Sequence, residues 1–294
     1  MGVILERAND ALNVNPPGGD RQLSVHGSDW LWTVTALFLL SFLVFFALIW
    51  AAKAGEKIFH YLFITALLVG GIVYFAQAAD LGWSGVSQAN YVGRGLVRQI
   101  FWAKYVGWVV FFPVIIIALG LLSGVSWTTI FYEVFLSWIW VISYLVGAYT
   151  RTNYKWGFFV FGTMAYLALA MHTLMDGSKN ARRLETTKHY SALAGWVNLL
   201  WLLYPIAWAC ADGANYIGIT ESFIWYGILD VLLVIVTAFM FLVLSRSWDY
   251  NRLGLAFTQY GRVNTQPGHF PEKENHPAGT GYTAPAATAA GATV

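Results

Sequence analysis

An all-α membrane protein, built as a bundle of seven transmembrane helices, is the fold this sequence predicts, and three observations carry the prediction. First, the 294 residues are 58% hydrophobic and 17% aromatic, with only 11% charged and a mean hydropathy of +0.56. A soluble domain carries about a quarter charged residues, so this chain lacks the charge to cover a water-facing surface. Second, apolar stretches of about 20 residues, the length that crosses a bilayer as helix, recur seven times along the chain. Third, the polar residues collect in the links and at the two ends. A soluble enzyme, a nucleic-acid binder and a disordered scaffold are excluded by the composition. The 17 Lys+Arg against 15 Asp+Glu leave a net charge of +2, and the single cysteine, Cys210, excludes a disulfide framework.

Taken in order, residues 1–28 form a polar N-terminal segment with a turn-forming Pro16-Pro17-Gly18-Gly19 run. It has no apolar h-region behind a basic start, so no cleavable signal peptide is expected. Glu6 stands where a myristoylation signal needs Ser or Thr. The membrane domain is expected over 29–246, with spans at 29–52, 56–79, 99–122, 126–149, 154–176, 191–211 and 220–245. The links are short except 80–98, which is Gly-rich, and 177–190, which is basic. Residues 247–294 form a polar tail, rich in Pro, Gly, Ala and Thr from Thr265, which cannot bury enough apolar area to fold.

Seven spans place the two ends on opposite sides. Arg7, Arg21, Arg94, Arg98, Arg151 and Lys155 fall on one side, and Lys53, Lys57, Lys179, Arg182, Arg183, Lys188, Arg246 and Arg252 on the other. The excess on the second side favours an outside N-terminus and a cytoplasmic tail.

Ionisable groups inside a bilayer are expensive and point to function. Lys104 lies in the third span, Glu133 in the fourth and Asp230 in the seventh, with His172 near the end of the fifth. At about 1.5 Å of rise per residue, Lys104 and Asp230 differ in depth by about 8 Å, a gap that a lysine stem largely bridges. The expectation is a buried Lys104–Asp230 ion pair. Its alternative is a Lys104 that snorkels to the interface while Asp230 takes a tyrosine hydroxyl. Glu133 and His172 read as locally satisfied. Trp201, Tyr204 and Trp208 share one face of the sixth span beside Pro205, and Lys104, Trp108 and Phe111 share a face of the third, before Pro113. Aromatic stripes of this kind usually pack, and a ligand pocket is the lesser alternative.

Three segments carry a family resemblance: Phe101-Trp102-Ala103-Lys104-Tyr105 through Trp108 to Pro113, Trp201-Leu202-Leu203-Tyr204-Pro205-Ile206-Ala207-Trp208, and Glu221 through Leu229-Asp230-Val231. They resemble the third, sixth and seventh helices of microbial rhodopsins, over 29–246. The resemblance implies a seven-helix bundle of microbial rhodopsin type. It also implies a retinal-binding lysine one turn after the seventh-helix aspartate, where this chain has Val234 and no lysine between Thr220 and Ser245. The proton-accepting and proton-donating carboxylates of the family fall at Gly107 and Ala118, and the family's arginine at Lys104. These departures resemble the fungal opsin-related subgroup of plasma-membrane heat-shock proteins. The resemblance therefore implies a non-photoactive membrane protein of stress or regulatory role, with a proton ATPase as a partner. Trp108, Phe159, Gly162, Trp201, Tyr204 and Trp208 would wall a vestigial pocket.

Two other functions compete. Lys104, Glu133 and Asp230 could line the path of an ion channel or transporter, and the vestigial pocket could receive retinal or a lipid without a covalent bond. An enzyme is not expected, because no nucleophile arrangement, HExxH, CxxC or phosphate loop occurs. Gly93 and Gly95 lack the rest of a nucleotide fingerprint. The six histidines are dispersed, so no metal is expected. The expected partners are the lipid bilayer, a membrane protein such as a proton ATPase, and further copies in a homo-oligomer, but no nucleic acid.

Overall fold

The computed structural model describes residues 9–52, 57–89, 96–250, 253 and 255. Arg7, Lys53, Gly93, Arg94, Gly95, Arg252 and the tail beyond 255 lie outside the described residues. Seven helices long and apolar enough to cross a membrane follow one another among them: α1 (Val25–Leu48), α2 (Lys57–Ala78), α3 (Trp102–Ser123), α4 (Trp127–Tyr149), α5 (Lys155–Arg183), α6 (Thr187–Gly213) and α7 (Ile219–Ser247). In hydrocarbon every backbone N–H and C=O must be satisfied within the segment, so each apolar run becomes a helix. The ends are set by local chemistry. The Ser24 side chain caps α1 by accepting from the Gly27 N–H at 3.1 Å, and Ser126 caps α4 from the Thr129 N–H at 3.2 Å. Gly124 ends α3 at φ +69°, a left-handed geometry that favours glycine.

Sequential helices are neighbours, and α7 closes the ring by packing on α1, with α3 the most enclosed of the seven. Three π-helical stretches interrupt the α ladder, at His172–Asp176 in α5, Ala209–Gly213 in α6 and Val231–Val236 in α7. Such insertions re-aim the side chains that follow. The one in α6 has the largest consequence: this helix was expected to stop at 211 but runs to Gly213, which brings Asp212 inside the bundle, only 1% exposed.

The 80–98 link, expected as a loop, contains an antiparallel hairpin. Strand β1 (Trp83–Ser87) pairs with β2 (Val97–Phe101), with Trp83 opposite Phe101 and Gly85 opposite Gln99. Part of the N-terminal segment joins it. Arg21 forms an isolated bridge to Arg98, the Gln99 N–H donates to the Arg21 carbonyl at 3.0 Å, and the Gln99 side chain accepts from the Leu23 N–H at 2.7 Å. Outside the bilayer a ladder satisfies backbone groups that no helix takes up. The hairpin thereby holds Arg98 against one end of the bundle, hereafter the hairpin side.

Candidate functional site

The polar interior divides into two centres. The first is Asp230, in α7. Its carboxylate accepts from the Tyr74 hydroxyl of α2 and the Tyr204 hydroxyl of α6, both at 2.6 Å, and from Trp108 Nε1 of α3 at 3.1 Å. One side chain thus ties four helices together through neutral donors. These are hydrogen bonds to a group that can carry charge, the stronger class in a low-dielectric interior.

The second centre is Asp212, nearer the hairpin side. Lys104 Nζ donates to its Oδ2, and the Tyr105 hydroxyl donates to the same oxygen at 2.7 Å. Arg98 Nε lies 3.6 Å from Oδ1. Lys155 Nζ donates to the Asp212 main-chain carbonyl at 2.7 Å and to Gln88 Oε1 at 3.1 Å. Trp208 Nε1 donates to the Tyr105 hydroxyl at 2.9 Å, which extends the network toward α4 and α5. Arg98 also donates from Nη1 to Asn215 Oδ1 and to the Ile217 carbonyl, both at 2.7 Å. Burial pulls the Arg98 guanidinium down from its ordinary range while the Asp212 charge pushes it back up.

The expected Lys104–Asp230 pair does not form. Lys104 binds Asp212, and Asp230 takes the second arrangement the sequence allowed, tyrosine hydroxyls. The reason is depth. Asp212 ends α6 at the level of Lys104, so the lysine reaches it without crossing toward the middle of the bundle, where Tyr74, Tyr204 and Trp108 already fill the acceptor sites of Asp230. Arg98 and Lys155, expected as flanking charges, are instead buried at 0% and 1% exposure.

The expected pocket residues fall into two ring clusters. Trp108 and Tyr204 meet edge to face at 5.4 Å, and Phe112 contacts both Tyr204 at 5.3 Å and Trp201 at 5.7 Å. Trp140 closes on Phe112 at 4.8 Å. Nearer the hairpin, Phe159 stacks on Trp208 at 5.5 Å and on Tyr144 at 5.5 Å. A Cβ on Gly162 would meet the Tyr144 ring at 2.7 Å, so this glycine lets the ring approach α5. The face expected for Lys104, Trp108 and Phe111 continues through Phe112 instead, at i, i+4 and i+8. Phe111 stacks outward on Phe38 of α1 at 5.9 Å.

The remaining sites have plain surroundings. Gly107 is buried, and a Cβ there would meet the Phe111 ring and Val73 at 3.2 Å. Ala118 and Val234 are both fully buried. Glu133 is buried in α4. His172 Nδ1 lies 3.3 Å from Asp176 Oδ2 on the surface of α5, and its ring meets Tyr132 edge-on at 5.3 Å. Among the described residues no group of three His, Cys, Asp or Glu is placed to hold a metal.

Sequence reasoning missed Asp212, Phe112, Trp140 and Tyr74. Asp212 lay one residue beyond the expected end of the sixth span, and its pairing with Arg98, 114 positions earlier, leaves no local signal. Phe112 was legible from the i, i+4, i+8 spacing that starts at Lys104.

Comparison with known proteins agrees with the seven-helix fold. Protein FDD123 of Trametes versicolor is 39% identical over 86% of this chain and 89% of its own length. The 30 kDa heat shock protein of Saccharomyces cerevisiae is 30% identical over 84% of this chain and 81% of its own. Among solved structures, a light-driven proton pump from Leptosphaeria maculans superposes with a TM-score of 0.73 at 29% identity, covering 79% of this chain and 98% of that one. The model of the bacteriorhodopsin-like protein family matches residues 27–247, all but the first two residues of the helical bundle, and the chain therefore belongs to that family as an opsin-like, seven-helix membrane protein.

Proposed function

We propose that this chain is a non-photoactive member of its family, a plasma-membrane protein with a regulatory or stress-response role rather than a light-driven pump. The observation that carries the reading is Val234. It sits one turn past Asp230, fully buried, and α7 contains no lysine from Ile219 to Ser247. A retinal imine needs a primary amine there. The buried lysines among the described residues are Lys104 and Lys155, and both amines are engaged at the hairpin end. The residues present do not fit a covalently held retinal. Gly107 and Ala118 provide no carboxylate to accept or supply a proton, and the rings of Phe112, Trp140, Trp201 and Tyr204 lie in mutual contact across the middle. Retinal or a lipid held without a bond fits this packing poorly.

The likeness to the 30 kDa heat shock protein supports the stress role. In this reading the N-terminus faces outside and the tail the cytoplasm, and the protein acts through a membrane-protein partner, the plasma-membrane proton ATPase. It does so as a non-enzymatic protein, alone or as a homo-oligomer.

Two pairs of experiments test the reading. Protein expressed with all-trans retinal should show no visible absorption band, and borohydride treatment should leave its mass unchanged. A band, or a retinal adduct on any lysine, would overturn non-photoactivity. Purification in mild detergent should co-isolate the proton ATPase, and deletion should alter survival after heat stress. Failure of both would sink the regulatory role.

A further inference from the structure

The two ends of the bundle use their cations differently. At the hairpin side Arg98, Lys104 and Lys155 are buried and engaged by internal acceptors. At the opposite end Arg182, Arg183, Lys188 and Arg246 are all exposed, and among the described residues none of them forms an ion pair. Lys179, one turn before Arg182, is held by Asp176 at 3.2 Å. Arg182 and Arg183 close α5, Lys188 opens α6 and Arg246 lies in the last turn of α7. Trp248 Nε1 donates to His189 Nδ1 at 2.8 Å, which draws the chain beside Arg246 against the chain beside Lys188. A stripe leads into this basic face. Met171, Met175, Lys179 and Arg183 recur every fourth residue along α5, and all four are exposed. Residues four apart lie one above the other on a helix. The stripe is thus apolar at hydrocarbon depth and basic where the helix leaves the bilayer, the order of groups in a phospholipid read from acyl chain to headgroup.

We propose that the end of α5, with Lys188 and Arg246 beside it, is a binding surface for a phospholipid with a polyanionic headgroup, of the phosphoinositide class, in the leaflet at that end. Three features select this occupant. Arg182, Arg183 and Arg246 are guanidiniums, whose planar fork matches phosphate oxygens two at a time. Four uncompensated cations exceed what a singly charged headgroup neutralises. The exposed Met171 and Met175 continue the basic face into the hydrocarbon, a contact for an acyl chain that a soluble phosphate or an acidic peptide leaves unused. Basic clusters where a helix meets the membrane surface attract such lipids. In the orientation proposed above this leaflet is the cytoplasmic one, but the binding itself depends neither on that orientation nor on light or retinal.

The probe is phosphatidylinositol bisphosphate. The full chain in neutral detergent is mixed with it, and separately with phosphatidylserine and phosphatidylcholine, and bound lipid is counted by native mass spectrometry. Detergent leaves both ends of the bundle accessible, so failure here speaks against the surface and not against the orientation. The bisphosphate should be retained at the lowest concentration and phosphatidylcholine at the highest. Each basic side chain beside an anionic headgroup contributes about fivefold in affinity. Arg182→Gln together with Arg183→Gln should therefore weaken binding about thirtyfold, and the unfolding midpoint should stay near that of wild type because both side chains are exposed. Arg151→Gln, at an exposed position between α4 and α5 on the hairpin side, should leave binding unchanged. Asp176→Asn should tighten it about fivefold, because it releases Lys179. Equal retention of phosphatidylserine and the bisphosphate, or unchanged affinity in the folded double variant, would overturn the proposal. So would inositol trisphosphate in solution bound as tightly as the lipid. A polyglutamate peptide bound in preference to the lipid would overturn it in favour of an acidic protein.

Discussion

The Asp212 centre makes an asymmetric prediction about charge removal. Asp212→Asn strips the one carboxylate that pairs with Arg98 and Lys104 and leaves both cations buried. Breaking a buried ion pair by removing one partner costs about 3–5 kcal/mol, and here two cations lose their partner at once. Lys104→Met is milder. Asp212 then keeps Arg98 at 3.6 Å and the Tyr105 hydroxyl at 2.7 Å, while the cost of burying the ammonium disappears. We expect about 1.5–2 kcal/mol for that change, the lower end of what a hydrogen bond to a charged group contributes. The double variant should be less destabilised than the sum of the singles, since the pair is coupled. It should not return to wild type, because Arg98 still lacks its carboxylate. At about 2–4 °C per kcal/mol for a domain of this size, the midpoint of fluorescence-detected unfolding in detergent should fall by roughly 6–20 °C for Asp212→Asn and by roughly 3–8 °C for Lys104→Met. Equal losses in the two singles, or a stable Asp212→Asn, would refute the assignment of Asp212 as the shared counterion.

Other outcomes follow from the same structure. Asp80, outside the spans, accepts from Gln99 Nε2 at 3.0 Å and 3.2 Å, and burial pushes its carboxyl up from 3.8 to about 6. The folded state then binds the proton more tightly than the unfolded one, so stability rises as pH falls from about 7 through 6 and levels off below 4, by about 1–3 kcal/mol. Comparing unfolding midpoints across that range should show the slope in wild type and its loss in Asp80→Asn. Tyr74→Phe and Tyr204→Phe each remove one hydroxyl from Asp230 and should each cost about 1.5–3 kcal/mol, measured by the same unfolding assay. Gly107→Asp should cost at least about 1–3 kcal/mol through overpacking against Phe111 and Val73. It should also produce no light-driven pH change in liposomes supplied with retinal, since Val234 still offers no amine.

Much of this molecule is determined by its sequence alone. Seven runs of bilayer length can satisfy their backbones only as helices, so the bundle and the approximate ends of each span follow from composition and spacing. The missing amine is equally legible, because no rearrangement of α7 supplies a lysine that the chain does not contain between Ile219 and Ser247. The aromatic interior was legible in part, since Trp201, Tyr204 and Trp208 recur on one helix face. What the tertiary structure decided is which charges meet. Lys104 had two carboxylates within plausible reach, and the choice rested on a π-helical turn at Ala209–Gly213 that carries Asp212 into the bundle. It rested equally on tyrosines from α2 and α6 converging on Asp230. Arg98 looked like a loop charge until the hairpin ladder pressed it against the end of α6. Partners separated by more than a hundred residues leave no periodicity in the chain. Their pairing is set by helix rotation, depth and crossing, which only packing determines.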